Sequence, residues 1–389
     1  MTNSFNPLIG RSIEEMRADL ATQRAAAAPV VETALPGMGL VPRYEHVRTA
    51  LLDHEHLSTK DNFLLARDSE PTPLLITQSD GERHTMLRDL LRPAFNRAAM
   101  KDAGPWIREL VDELLDQLPP GGPADVVGDI GVPLTAAVIT RLIGVPGADA
   151  GRLVELTQAL AEMVPANLFV TPEWAELEAY FRARSEERRL LSDKPQDVLT
   201  MLVDASVDGV PMSDREVAFH AFQLFAAGVE STSFTLGWTV HHLLVERERW
   251  DALRADRSLL ALAREEGLRH CTAIRWVTRT AEEEVRLGSA CVHAGERLLV
   301  SLESANLDED AFGPDADRFD LHRESARKHV AFGHGVHLCL GAELSRLEID
   351  AALDRLLDRM PDLRLAEPEA WDDLRNPLFS GPRSARVSW

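Results

Sequence analysis

One cysteine in this chain has neighbours suited to chemistry. Cys339 lies in Ala331-Phe332-Gly333-His334-Gly335-Val336-His337-Leu338-Cys339-Leu340-Gly341, a glycine-punctuated turn that runs straight into a stretch with helical apolar spacing. A thiolate at a helix N-terminus is stabilised by unsatisfied backbone N–H groups and by the positive end of the dipole. The glycines let a flat ligand or another backbone come close. These are the needs of a thiolate metal ligand. Cys271 and Cys291 have no such setting, and without a CxxC pair neither a disulfide framework nor a structural zinc site is indicated. Both are expected to be packing residues.

A second set of reactive groups interrupts an apolar run. Between Val217 and Leu244 the chain is largely hydrophobic, yet its middle reads Ala226-Ala227-Gly228-Val229-Glu230-Ser231-Thr232. A glycine, an acid and two alcohols each cost stability inside a buried helix. Glycine admits another group to the backbone, and Ser or Thr can bond back to a carbonyl one turn earlier and loosen the helix.

The elements that must hold these groups are mostly helical. Apolar residues recur at three- and four-residue spacing over 83–97, 103–117, 133–142, 174–191, 214–249, 259–270 and 341–360. Strand-like material is confined to 285–302, where an Ala-Gly-Glu turn separates two apolar runs, and to the last residues. The expected fold class is mainly α with small β-sheets, which excludes a doubly wound or barrel design. With no internal repeat or long linker, residues 1–389 read as a single domain, residues 1–40 being an N-terminal extension packed on it.

Charge narrows the function classes. The 42 Lys and Arg face 63 Asp and Glu, a formal net charge of −21, so the chain repels nucleic acid unless basic residues gather on one face. No nucleic-acid partner and no membrane span are expected. The start lacks a signal-peptide core, and a cytoplasmic location is expected.

Phe332, Gly335, Cys339 and Gly341 match Phe-x-x-Gly-x-x-x-Cys-x-Gly, and through them the sequence resembles the cytochrome P450 superfamily from about Tyr44 to the C-terminus. The resemblance implies the single-domain P450 fold, with haem b (iron protoporphyrin IX) between the long central helix and the cysteine-loop helix. Cys339 would be the axial thiolate, the metal ligand, with Phe332, Gly335 and Gly341 shaping its loop. His84, Arg88, Arg279 and His337 match propionate-binding positions. Glu-x-x-Arg occurs eight times, at Glu14, Glu45, Glu186, Glu246, Glu266, Glu283, Glu324 and Glu343, and position alone selects Glu266 and Arg269. In the family this pair meets a later arginine, here Arg318, as a structural triad.

By the same resemblance Glu230 and Ser231, with Thr232 in support because serine replaces the usual threonine, organise proton delivery. The substrate would lie against the loop around residues 63–77, Phe63 included, and against Ala226, Ala227, Ile274, Val277, Leu378 and Phe379. These residues are mostly apolar, which points to a hydrophobic small molecule, while Arg67 or Arg275 could meet a carboxylate. No flavin or iron–sulfur domain is recognisable, so electrons must come from outside, from a ferredoxin with an NAD(P)H-dependent reductase. Arg83, Arg88, Arg92, Arg97, Lys101 and Arg346 form a basic strip that would steer it. The expected activity is a monooxygenase inserting one atom of O2. The alternatives are a peroxide-using or divergent haem-thiolate enzyme and a haem-thiolate sensor without turnover.

Overall fold

The computed structural model describes residues 5–63, 73–163, 168–207, 209–366 and 372–389. Helices dominate, and the expected ones appear as Gly81–Phe95, Arg97–Asp116, Val132–Ile143, Pro172–Leu190, Asp214–Val245, Leu260–His270 and Ala342–Arg359. Two boundaries differ by more than two residues. Asn96 is extended, and its side chain accepts from the N–H groups of Ala98 and Ala99, starting a new helix six residues before the expected 103. The expected 214–249 helix stops at Val245 because Glu246 is extended, and Arg247–Ala255 restarts separately. Helices Ile13–Ala25, Tyr44–Leu52 and Ala150–Met163 lie outside the expected set, each burying a single stripe of side chains.

The central helix Asp214–Val245 begins with a capping box. The Ser213 hydroxyl accepts from Glu216 N–H, and the Glu216 carboxylate accepts from Ser213 N–H at 2.9 Å. Its neighbours press close, for a Cβ at Gly228 would lie 3.1 Å from Ile139. The group that this glycine admits is therefore the helix Val132–Ile143. Among the described residues, Val126–Ile143 is the one segment long and apolar enough to cross a membrane, and most of it is buried inside the protein.

A five-stranded sheet runs in the order Val31–Glu32, Met38–Val41, Arg297–Ser301, Trp276–Ala281, Leu57–Ser58. The N-terminal extension thus does more than pack on the body, since Met38–Val41 pairs in parallel with Arg297–Val300. Alternation along the strands builds both faces. Trp276 and Leu299 pack against Met16 and Leu20 of the first helix, while Leu298 and Val300 pack against Val47 and Leu51.

Two adjacent acids on the helix Leu260–His270 fix what surrounds the cysteine turn. Glu266 and Arg269 have no exposed surface, and Arg269 donates Nε and Nη2 to the two carboxylate oxygens, each at 2.7 Å. The third arginine is Arg323, not the expected Arg318. Arg323 Nε donates to Glu266 Oε1 at 3.2 Å, whereas the exposed Arg318 offers only its carbonyl, accepting from Arg269 at 2.9 Å. The turn at Asp320, whose N–H donates to Glu266 at 2.8 Å, points Arg323 inward. The neighbouring Glu265 accepts from Arg346 at 2.8 Å and meets His329 at 3.1 Å, so one carboxylate clamps both flanks of the Cys339 turn. Burial works against its charge, but His329 and Arg346 hold it well below the usual carboxylate range.

Arg323→Ala should cost about 3 kcal/mol, because it strips a charged partner from a buried carboxylate that then keeps only Arg269 and the Asp320 N–H. Arg318→Ala should stay within about 0.5 kcal/mol. Urea denaturation midpoints of the two variants check this assignment.

Candidate active site

The cysteine turn is held by its own backbone. Cys339 N–H donates to the Phe332 carbonyl at 2.8 Å, and Leu338 N–H to Gly335 at 3.1 Å, folding the loop back on itself. Gly335 has φ +74°, and a Cβ there would meet the Leu51 carbonyl at 3.1 Å, so no other residue serves. Gly341 then caps the helix Ala342–Arg359. Cys339 is exposed, yet the surrounding protein desolvates its thiol and raises its pKa, against the pull of Gly341 N–H, Arg88 and Arg346. Arg346 also covers the Phe332 ring, 4.9 Å from its centre.

Cationic and imidazole groups from three segments gather beside this turn. The rings of His84 and His337 are 4.0 Å apart, and Arg88 donates to the Leu338 carbonyl at 2.8 Å. Arg279 is 3% exposed and donates only to the Thr278 carbonyl, with no carboxylate at ion-pair distance among the described residues. Burial lowers its pKa to about 10 and that of His84 to about 4. Asp80, which the motifs did not single out, meets His337 at 3.3 Å. Burial opposes its charge, but bonds from His337, Ser58 and Thr59 hold its pKa well below the usual range. The signal for Asp80 was its place just before a helix, where acids are favoured. Asp80, His84 and His337 line a cleft of about 460 Å³ with His54, Met86 and Val336.

On the central helix the three polar residues diverge. Glu230 is 5% exposed, and burial, assisted by Glu162, pushes its pKa up to about 7. Ser231 donates back to the Ala227 carbonyl at 2.9 Å, on a face where Ala227 is exposed. Thr232 points elsewhere. Its buried hydroxyl donates to Ser345 of the cysteine-loop helix at 2.9 Å, so it bonds the two helices together and does not share the face of Ser231. One turn beyond Ser345, Glu348 is a buried acid whose pKa burial raises well above the usual value, and no motif pointed to it.

The apolar lining is partly assembled. Ile274 and Phe379 form a β-bridge and pack together with Trp276, while Ala226 and Val277 are half-buried. Phe63 is 37% exposed with φ +63°. Residues 64–72, Arg67 among them, lie outside the described residues. Arg275 is not available to a substrate, for it is fully buried, ion-paired with Glu303 and bonded to the Phe379 carbonyl at 3.1 Å. Of the other cysteines, Cys271 is buried as expected, but Cys291 is exposed beside Glu284 and His293 and is no packing residue.

The chain matches the family model described as Cytochrome P450 over residues 174–361. It is 34% identical to nocardicin C N-oxygenase of Nocardia uniformis subsp. tsuyamanensis, over 94% of this chain and 93% of that one. The chain belongs to the cytochrome P450 family. It is also 33% identical to vitamin D(3) 25-hydroxylase of Pseudonocardia autotrophica, with 92% and 93% covered. Among solved structures, the LnmA P450 hydroxylase of the leinamycin pathway of Streptomyces atroolivaceus superposes with a TM-score of 0.83 at 34% identity, covering 95% of this chain and 96% of that one.

This P450 is therefore an oxygen-inserting monooxygenase that binds protoporphyrin IX haem, and its fold is the one expected. The donor set fits that group. An exposed cysteine stands at a helix start, and the buried Arg279, with no carboxylate at ion-pair distance among the described residues, suits a carboxylate.

Glu230 makes stability pH-dependent. Its folded pKa lies above the ordinary carboxylate value, so the folded protein holds a proton that the unfolded chain has lost. The neutral form's contribution is intact below about pH 4.5 and is lost as pH rises through 7, a loss of about 3 kcal/mol. Relative to wild type, Glu230→Gln should gain about that much between pH 4.5 and 8, which denaturation at the two pH values measures.

Proposed function

We propose that Cys339 is the axial ligand, that His84, Arg88, Arg279 and His337 bind the haem propionates, and that electrons come from an external ferredoxin with an NAD(P)H-dependent reductase. The observation that carries this reading is the exposed Cys339 at a helix start with Arg88 and Arg346 acting on its thiol. When bound, the haem supplies the iron at which O2 is activated and one oxygen atom passes to the substrate. The chain's own residues do the rest. Arg88 and Arg346 offset charge on the thiol, and Gly341 N–H bonds to it. Glu230, with a pKa near 7, can both hold and release a proton at working pH, and Ser231 offers a hydroxyl on the open face of the same helix.

The docking surface supported for the ferredoxin differs from the basic strip read in the sequence. Arg346 is committed to Glu265 and Glu343, Arg92 to Asp89, and Arg83 lies 3.8 Å from Glu216. Arg97 and Lys101 remain exposed with no carboxylate partner among the described residues. The groove of about 610 Å³ that reaches the cysteine turn is mixed, lined by Arg43, Arg48, Arg327 and Lys328 but also by Glu45, Asp308 and Asp310. Arg97 and Lys101 therefore carry the attraction for an acidic partner, more strongly at low ionic strength.

The substrate is proposed to be a hydrophobic small molecule, given the lining by Ala226, Ala227, Ile274, Val277 and Phe379. The Nocardia relative is named for N-oxygenation of nocardicin C and the Pseudonocardia relative for 25-hydroxylation of vitamin D(3), so these two molecules come first in a spin-state screen.

With a ligand from that screen, ferredoxin, reductase, NADPH and ¹⁸O₂, each product should carry one labelled atom, at a rate at least about tenfold above that with hydrogen peroxide. Equal or faster peroxide turnover would favour the peroxide-using alternative. Ser231→Ala should lower product formed per NADPH several-fold, whereas Thr232→Val should leave that ratio unchanged and cost about 1 kcal/mol of stability.

A further inference from the structure

The face of the central helix that leads to Ser231 is polar along much of its length. Glu216, His220, Gln223, Ala227 and Ser231 recur at four- and three-residue spacing, which keeps them in one stripe. The first half of that stripe packs on the turn Ile76–Gln78 and the start of the helix Gly81–Phe95. There Gln223 Nε2 donates to Thr77 Oγ1, and Arg83 lies 3.8 Å from Glu216. The second half opens at Ala227.

This junction leaves buried polar atoms without hydrogen-bond partners among the described residues. They are Gln223 Oε1, both ring nitrogens of His220, and Arg83 Nε. His220 is 1% exposed, and burial lowers its pKa to about 4, so the ring is neutral and offers one donor and one acceptor. Orphaned buried groups carry their full desolvation cost, and so many at one junction, two residues of the stripe and Arg83 across from it, indicate something that binds there. Thr77 ties the junction to the pocket wall. Asn62 Nδ2 donates to the Thr77 carbonyl at 3.2 Å, and Asn62 Oδ1 accepts from Thr278 N–H at 3.0 Å, next to Val277.

We infer that Gln223, held by Thr77 and backed by His220, is a specificity-determining residue that receives a hydroxyl or amide N–H of the substrate. The substrate is then amphipathic and elongated, with its polar end about 12 Å along the helix axis from Ser231. This rests on the haem-thiolate reading above, and the test separates the two.

The probes are 1-alkylimidazoles and their ω-hydroxyalkyl counterparts with about six to twelve methylenes, titrated into the holoenzyme by the spectral shift of azole ligation. At one or more lengths the hydroxyl should tighten binding about fivefold in the wild type. Gln223→Leu should erase that gain while leaving the affinity for the alkyl probe within about twofold, and Thr77→Val should reduce the gain. No gain at any length, or a gain that survives Gln223→Leu, overturns the inference. Failure of imidazole itself to shift the spectrum overturns the haem-thiolate reading and the inference with it.

Discussion

A carboxylate and a guanidinium with no exposed surface must answer each other's charge, and in this P450 the pair Glu266 and Arg269 does so while organising the chain between the sheet and the cysteine turn. Arg269 also donates to the carbonyls of Asn306 and Ala316, and Glu266 receives Arg323 and the Asp320 N–H. Asn306 in turn accepts from Val330 N–H at 2.8 Å, one step before the turn that carries Cys339. The site therefore depends on a buried charge network reached through backbone carbonyls. Such a network is costly to break and leaves the segment few alternative arrangements. Glu265, on the next residue, extends the same logic to His329 and Arg346 on either side of the turn.

The two walls of the site are electrostatic opposites. The cysteine side gathers Arg88 and Arg346 and directs Gly341 N–H at the thiol, all favouring negative charge. The central-helix side buries Glu230 with the added repulsion of Glu162, which favours a retained proton. The Thr232–Ser345 hydrogen bond joins the central helix to the helix that follows the cysteine turn, so helix packing sets how Glu230 sits relative to that turn.

The reactive groups and most helices were legible in the sequence because they depend on local pattern. Cys339 announces itself by the glycines before it and the helix after it, and Glu230 and Ser231 by interrupting an apolar run. Partners were not legible, because they are chosen by tertiary approach. Arg318 and Arg323 both follow the Glu266 helix at plausible distances, and only the turn at Asp320 decides which guanidinium goes inward. Arg275 reads as a possible substrate contact until Glu303 is found against it. Ser231 and Thr232 are adjacent alcohols whose roles separate only because neighbouring residues on a helix face about 100° apart. The basic strip likewise loses Arg346 to Glu265 and Arg92 to Asp89, ion pairs that side-chain counting does not see.

The central claim is that Cys339, positioned by the Glu265 and Glu266 networks, is the thiolate that holds the haem iron. The reduced, CO-bound difference spectrum of the purified holoenzyme tests it most directly. Wild type should show the strongly red-shifted band of thiolate ligation, and Cys339→Ser should lose that band while the other two cysteine variants, Cys271→Ser and Cys291→Ser, retain it. A folded wild-type protein that binds haem but shows only the band of a nitrogen-ligated haem, or a thiolate band that survives Cys339→Ser, would contradict the account.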